Sequence, residues 1–315
     1  MKLLALSLLM AVPLAADEKQ VLWRDPGPLT MDHWTCGSGG CDRTPAPPFH
    51  FVKEDAGGTN PKVVLRDSKG LNWSVKFGGE SIPECFASRY VTALGYLAEP
   101  AYFVASGKIE GVGHLKNASR VIHKDGTFVK GRFELRGQKD LVFLEGRYWS
   151  WVDNPFRGTH ELAGLKLLVM LLSNWDIKDE RDGDESNDNI FRVPGDNGGS
   201  FLFYGVSDWG ASLGRWGNMR RRDKSDCAGF NRDTPLFIKG VHQNEVEFSY
   251  SGKHAEDVKH GISIDDIRWL LPKLQRVTTG ELRTGLKASG ATERQTTCWS
   301  NSIEDRIRQL QAVAR

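Results

Sequence analysis

Asn174-Trp175-Asp176, then Asn187 and Asn189, then Ser207-Asp208-Trp209-Gly210 is the run whose reading decides the fold. An aspartate on a loop can accept a hydroxyl proton, and amide and carboxylate oxygens farther along can hold a hard divalent cation. Upstream, Lys76 closes the alternating run Leu71-Asn72-Trp73-Ser74-Val75-Lys76-Phe77, and Glu84 opens a helical stretch. Each part has a plainer explanation. Asp176 could terminate a helix and Asp208 could form a turn. Lys76 could be a solvated strand lysine, and Ser81-Ile82-Pro83-Glu84 has the form of a capping box with proline in its first turn. The order of all the parts together is harder to explain that way.

Outward from this run, the chain divides by pattern. Residues 17–48 are rich in Gly, Pro and Cys and read as an irregular extension. Phe49 to Lys53, Val63 to Arg66 and Leu71 to Phe77 are β-prone, a helix is expected from Ile82 to Leu94, and strands follow at Ala101 to Ala105 and Phe128 to Leu135. His160 to Leu172 has the periodicity of a buried helix running into Asn174. Two short strands, Ile190 to Val193 and Phe201 to Val206, precede Asp208, and helices are expected at Ile267 to Leu274, Thr279 to Lys287 and Ser302 to Ala314. This is an α+β chain in two lobes. Residues 49–147 form a small β-rich lobe with one helix, and 148–315 form a larger, mainly helical one, with the polar residues at the junction.

The bulk numbers narrow the function. The 315 residues, 39% hydrophobic and 26% charged, can bury a substantial core. The net charge of +2, with 42 basic against 40 acidic residues, and the lack of a basic stripe argue against nucleic acid as partner. Lys2, the apolar run Leu3 to Leu14 and Ala15-Ala16 before Asp17 have the form of a cleaved signal peptide over residues 1–16. No other apolar segment is long enough to span a bilayer. A secreted or periplasmic protein would oxidise its cysteines. The expected pairs are Cys36 with Cys41 and Cys227 with Cys298, leaving Cys85 buried. The loop 179–189 is dense in carboxylates and could hold a structural calcium, although the D-x-[DN]-x-[DN]-G spacing is missing and a solvated acidic loop is the simpler reading.

At the residues first quoted, the chain resembles the atypical kinases, above all the HipA-like and phosphoinositide-kinase-like branch of the protein-kinase-like fold. Gly57-Gly58-Thr59-Asn60-Pro61-Lys62 is similar to the Gly-Gly-x-x-Pro-Lys segment of the HipA-like proteins, and Val75-Lys76-Phe77 resembles their nucleotide-lysine strand. Pro83 through Tyr96 resembles the helix carrying the paired glutamate, Asn174-Trp175-Asp176 the catalytic loop, and Ser207 through Ser212 the metal-binding Asp-x-Gly segment. The resemblance covers roughly Phe49 to Gly214. It implies ATP with Mg²⁺ or Mn²⁺ as cofactors. Gly57, Gly58, Thr59 and Lys76 would contact the nucleotide, with Glu84 positioning Lys76. Asp176 would act as base, and Asp208 would bind metal with Asn189 or Asn187. The catalytic loop is longer than in those relatives, and Lys178 is the nearest basic residue after the aspartate. The expected activity is a secreted phosphotransferase acting on a protein or glycan hydroxyl. The alternative is an inactive pseudokinase or a carbohydrate- or protein-binding module, with Trp149, Trp151, Trp209 and Trp216 offering aromatic faces.

Overall fold

The computed structural model describes residues 18–55, 60–195, 198–218 and 220–315. Gly57, Gly58, Thr59 and the leader 1–16 therefore lie outside the described residues. The strands are β1 (Lys19–Val21), β2 (Phe49–Asp55), β3 (Lys62–Arg66), β4 (Asn72–Phe77), β5 (Ala101–Glu110), β6 (Thr127–Leu135), β7 (Val142–Tyr148), β8 (Asp188–Pro194), β9 (Ser200–Val206), β10 (Ile238–His242) and β11 (Glu245–Phe248). The helices are α1 (Met31–Thr35), α2 (Ser81–Ala93), α3 (His160–Leu171), α4 (Cys227–Asp233), α5 (Ala255–Lys259), α6 (Ile264–Arg276), α7 (Thr279–Ala288) and α8 (Glu293–Val313). The class is α+β.

β2, β3, β4, β6 and β5 close into a barrel in that order. Alternation decides which side chains fill it. On β4, Trp73, Val75 and Phe77 are buried while Asn72, Ser74 and Lys76 stay half-exposed on the other face. Val63, Leu65, Phe128 and Phe133 complete an apolar interior. The outward face carries a row of cations set by register. Lys62 on β3 lies opposite Lys76 on β4, which lies opposite Arg132 on β6. Facing residues of paired strands point to the same side, so the three stand together.

A second sheet, ordered β1-β9-β8-β7, carries the loop ends at Asn187 and Asp208. The chain changes sheets between β6 and β7, because Val142–Tyr148 pairs with β8. The expected boundary at residue 147 falls inside that pairing strand. Residues 18–48 are also less irregular than the sequence implies. β1 runs parallel to β9, and Leu22 and Trp34, each 1% exposed, belong to the main core. A single buried aromatic gives a Gly- and Pro-rich stretch a fixed seat that periodicity cannot show. α8 begins nine residues before its expected start at Ser302, since Thr292 and Gln295 form a reciprocal cap and the turns that follow bury small polar residues.

Both disulfides form as expected, Cys36–Cys41 and Cys227–Cys298, and Cys85 is buried, its thiol pushed up to about 12 by desolvation. Among the described residues no helix is long and apolar enough to cross a membrane. The two bridges differ in the loop they close, 71 residues of separation against 5. On chain entropy, C227S/C298S is expected to lose about 4 kcal/mol and C36S/C41S about 2 kcal/mol. Urea titrations of the two variants would show the reverse order if α8 were held by packing alone.

Candidate functional site

Asp208 sits where β9 ends in a tight turn. Its carboxylate Oδ1 accepts the Gly210 N–H at 2.9 Å, and its carbonyl accepts Asn174 Nδ2 at 2.9 Å. Trp209, fully buried, anchors the turn through Nε1 to the Val206 carbonyl at 2.9 Å. Glycine at 210 lets the turn close tightly, since a Cβ there would lie 3.0 Å from Glu80 Cβ and 3.1 Å from Asp208 Oδ1 and would press those side chains aside. Burial opposes the charge on Asp208. Lys76 first, then Arg132 and the Gly210 N–H, outweigh it and hold the carboxyl at about 2.

Glu84 does not cap its helix. α2 starts without a side-chain cap, and Ser81 Oγ donates to the Lys130 carbonyl at 2.8 Å. Glu84 is 1% exposed and turns inward, where Oε2 accepts Arg132 Nη1 at 2.6 Å and the Trp209 N–H at 2.9 Å. Arg132 Nη2 also meets Glu134 at 3.1 Å. The expected partner, Lys76, forms no ion pair within 4.0 Å among the described residues. Arg132 lies beside it in register and takes the glutamate instead. Burial pushes the Glu84 carboxyl up, Arg132 pulls it down and Asp208 pushes it up again, with a net rise.

The loop bearing Asp176 is braced from three sides. α3 ends with Ser173 N–H to the Met170 carbonyl at 3.0 Å and Asn174 N–H to the Val169 carbonyl at 2.9 Å, which places Ser173 in the left-handed region at φ 57°. Buried Arg306 from α8 holds Ser173 Oγ at 2.8 Å together with the Leu171 carbonyl at 2.8 Å. Tyr250 Oη donates to the Asn174 carbonyl, and Lys253 N–H to the Trp175 carbonyl at 2.8 Å. Asp176 itself is half-buried, with Lys178 Nζ at 3.8 Å. Burial raises its carboxyl, Lys178 lowers it, and Asp208 raises it, for a net upward direction.

The two asparagines differ in their ties. Asn187 Nδ2 donates to the Asp176 carbonyl at 2.5 Å, and Ser207 N–H returns to the Asn187 carbonyl at 2.8 Å. Asn189 is 7% exposed, donates to Ser207 Oγ at 2.5 Å, and has an Oδ1 that is buried without a partner among the described residues. Between them, Asp188 is fully buried, and desolvation first, then Asp179 and Asp182, push its carboxyl well up. In the acidic loop, ligand-type atoms of Asp179, Asp182 and His254 lie within 4.8 Å of one another. Arg181 meets Asp179 at 2.6 Å, and Lys253 and His254 meet Asp182 at 2.7 Å and 2.6 Å, so the loop's charge is balanced from within the chain.

A cavity of about 410 Å³ lies farther along the outer barrel face, lined by Ser74, Glu99, Glu134, Leu135, Gly137 and Phe143. Ser74 and Glu134 share that face with Lys76 and Arg132, two residues along their strands. Burial, then Glu134, push Glu99 there up to about 8. Trp149, Trp151, Trp209 and Trp216 are buried at 8% exposure or less, so the aromatic carbohydrate face expected of them is corrected: they pack the core. Sequence reading passed over Arg132, Arg306, Glu80 and Lys224. Alternation around Phe133 could have put Arg132 on the outer face, but only register puts it beside Lys76.

No family model matches the sequence, and no curated protein does. A solved structure with a slight overall likeness is the Rio2 kinase–ADP/Mg²⁺–phosphoaspartate complex from Chaetomium thermophilum, at 12% identity and a TM-score of 0.27 over 83% of this chain and 72% of that one. A likeness that loose decides neither topology nor activity.

Removing Arg132 strands buried carboxylates beside Asp208. R132M is therefore expected to cost about 3 kcal/mol near pH 8. Without the guanidinium, the folded Glu84 carboxyl rises further and binds a proton that the unfolded chain releases, so the loss should shrink toward about pH 5. Equal losses at both pH values in urea titrations would show that Arg132 contributes by packing and not by charge.

Proposed function

We propose that the chain is a phosphotransferase of the protein-kinase type, passing the γ-phosphoryl group of ATP, with Mg²⁺ or Mn²⁺, to an acceptor hydroxyl. The observation that carries this reading is the meeting of the Asp176 loop with the Asp208 turn, joined by Asn174 Nδ2 to the Asp208 carbonyl at 2.9 Å, where Lys76 from the barrel lowers the Asp208 carboxyl. Phosphoryl transfer asks little covalent work of a protein and a great deal of charge placement. Of the row Lys62, Lys76 and Arg132, the half-exposed Lys76 is the cation left for phosphates, since Lys62 pairs with Asp55 and Arg132 with Glu84 and Glu134, and the cavity beyond Ser74 and Glu134 has the volume of a small-ligand site.

A hard cation fits the donors present. Asp208 keeps its negative charge at neutral pH. Asn187, with its amide nitrogen held by the Asp176 carbonyl, has Oδ1 left as its ligand atom. Asn189 suits the role less well, since its Oδ1 is sealed from solvent. Bound there, the cation would neutralise phosphate charge as the transferring group separates. Asp176 would orient the acceptor hydroxyl and take its proton, with Lys178 at 3.8 Å drawing its carboxyl down against the upward push of burial. Glu84 positions Arg132 and the Asp208 turn, where the resemblance would have it position Lys76.

The two disulfides are compatible with an oxidising compartment and support our proposal of a secreted or periplasmic protein. The capture of Glu84 by Arg132 also favours a second reading, a nucleotide-binding pseudokinase.

ATP with Mg²⁺ or Mn²⁺ is expected to raise the melting temperature by mass action, and D208A to abolish the rise. D176N should keep the rise and lose transfer by about a hundredfold to ten-thousandfold. A thermal shift with D176N fully active would remove Asp176 from the mechanism, and a shift with no transfer to any acceptor would favour the pseudokinase.

The pH profile supplies a further check. A general base must be ionised, so transfer should fall as pH drops through the Asp176 value. K178M removes the charge that lowers that value, and the acid limb should move to higher pH. An unmoved limb would assign it to another group.

A further inference from the structure

We propose that residues 220–224 recognise the acceptor and select a peptide whose hydroxyl is flanked by acidic residues; this rests on the phosphotransfer reading above. The chain is nearly neutral overall, yet Arg220, Arg221, Arg222 and Lys224 place four cations in five consecutive positions. The one acid among them, Asp223, is already engaged, its Oδ1 accepting the Arg215 N–H at 2.5 Å.

The segment is fastened to the loop that carries Asp176. Trp175 Nε1 donates to the Asp223 carbonyl at 2.6 Å, and the Arg222 guanidinium lies over the Trp175 ring at 4.2 Å from its centroid. Arg222 is among the charges that act on the Asp176 carboxyl. On the other side, Lys224 pairs with Glu80, which also accepts Asn60 Nδ2 at 2.7 Å, so the segment reaches from the Asp176 loop to the barrel. Arg222 and Lys224 are thus committed to holding its shape. Arg220 and Arg221 are exposed and form no ion pair among the described residues.

Two exposed guanidinium forks, next in the chain to the Arg222 that covers Trp175 of the Asp176 loop, match carboxylates in geometry as well as charge. Arginine clusters are a recurrent means of reading acidic motifs. A glycan fits less well. Trp175, the aromatic ring of that loop, has a face covered by Arg222, and Trp209 and Trp216 are buried.

The test uses two serine peptides that differ only in flanking glutamates or lysines. Their affinities for the purified protein are read by fluorescence anisotropy without nucleotide, and their phosphorylation is read with ATP and Mg²⁺. The acidic peptide is expected to bind about tenfold tighter or better, and R220E/R221E to erase that preference. The milder R220Q/R221Q should reduce the preference in part, with melting curves confirming that both variants fold. Equal affinity for the two peptides, a preference untouched by either variant, or stronger binding of a single-stranded oligonucleotide than of the acidic peptide would overturn the proposal. Binding of the acidic peptide without phosphorylation would count against the phosphotransfer reading and leave the recognition site standing. An intact ATP-induced thermal shift with no peptide preference would do the opposite.

Discussion

One carboxylate, Glu84, joins three parts of the molecule that are far apart in sequence. Its Oε2 takes Arg132 from the barrel and the Trp209 N–H from the turn after Asp208, while its own backbone belongs to α2. A buried ion pair of this kind is weak evidence for stability, because desolvation consumes much of the Coulombic gain. Its consequence here is positional. With Glu84 held by one donor from each side, the Asp208 turn cannot shift without breaking the hydrogen bond from the Trp209 N–H to a buried carboxyl. The cations Lys76 and Arg132 are held against the same turn.

That constraint explains how a partly buried Asp208 stays ionised. Burial alone would push its carboxyl up, as it does for Asp188, which lies on the strand paired with β9. The difference lies in the neighbours. Asp208 faces Lys76 and Arg132, whereas Asp188 has Asp179 and Asp182 as the next strongest influences on it. A carboxylate that keeps its charge in a confined space, beside a second carboxyl whose value is raised, is the polarity that metal-assisted group transfer needs. The bracing of Ser173 by Arg306 serves the same end from behind, holding a strained residue that turns Asp176 toward the site.

The peripheral loops divide into those balanced within the chain and those left open. In the acidic stretch after Asp176, Asp179 and Asp182 find partners in Arg181, Lys253 and His254. The basic stretch after Asp208 is only partly matched, with Arg220 and Arg221 exposed. Exposed charge acts on what approaches it, chiefly through electrostatic steering.

Much of the framework was legible in the residues. Alternation in Asn72 to Phe77 located β4 and its buried face, the apolar period from His160 located α3, and the close spacing of Cys36 and Cys41 anticipated their bridge. These are local properties, set by backbone periodicity and loop closure, so a linear reading can reach them. The short Asp-x-Gly and Asn-x-Asp runs likewise marked the turns that carry Asp208 and Asp176. What the tertiary structure decided was partnership. The sequence reads Glu84 as a cap or as the partner of Lys76, and strand register gives it to Arg132. The sequence reads the tryptophans as an available surface, and packing buries them. It leaves Asn187 and Asn189 equivalent, and a single hydrogen bond to the Asp176 carbonyl separates them. In each case the local pattern specifies a side chain's face, while its partner is chosen by which distant strand or helix packs against that face.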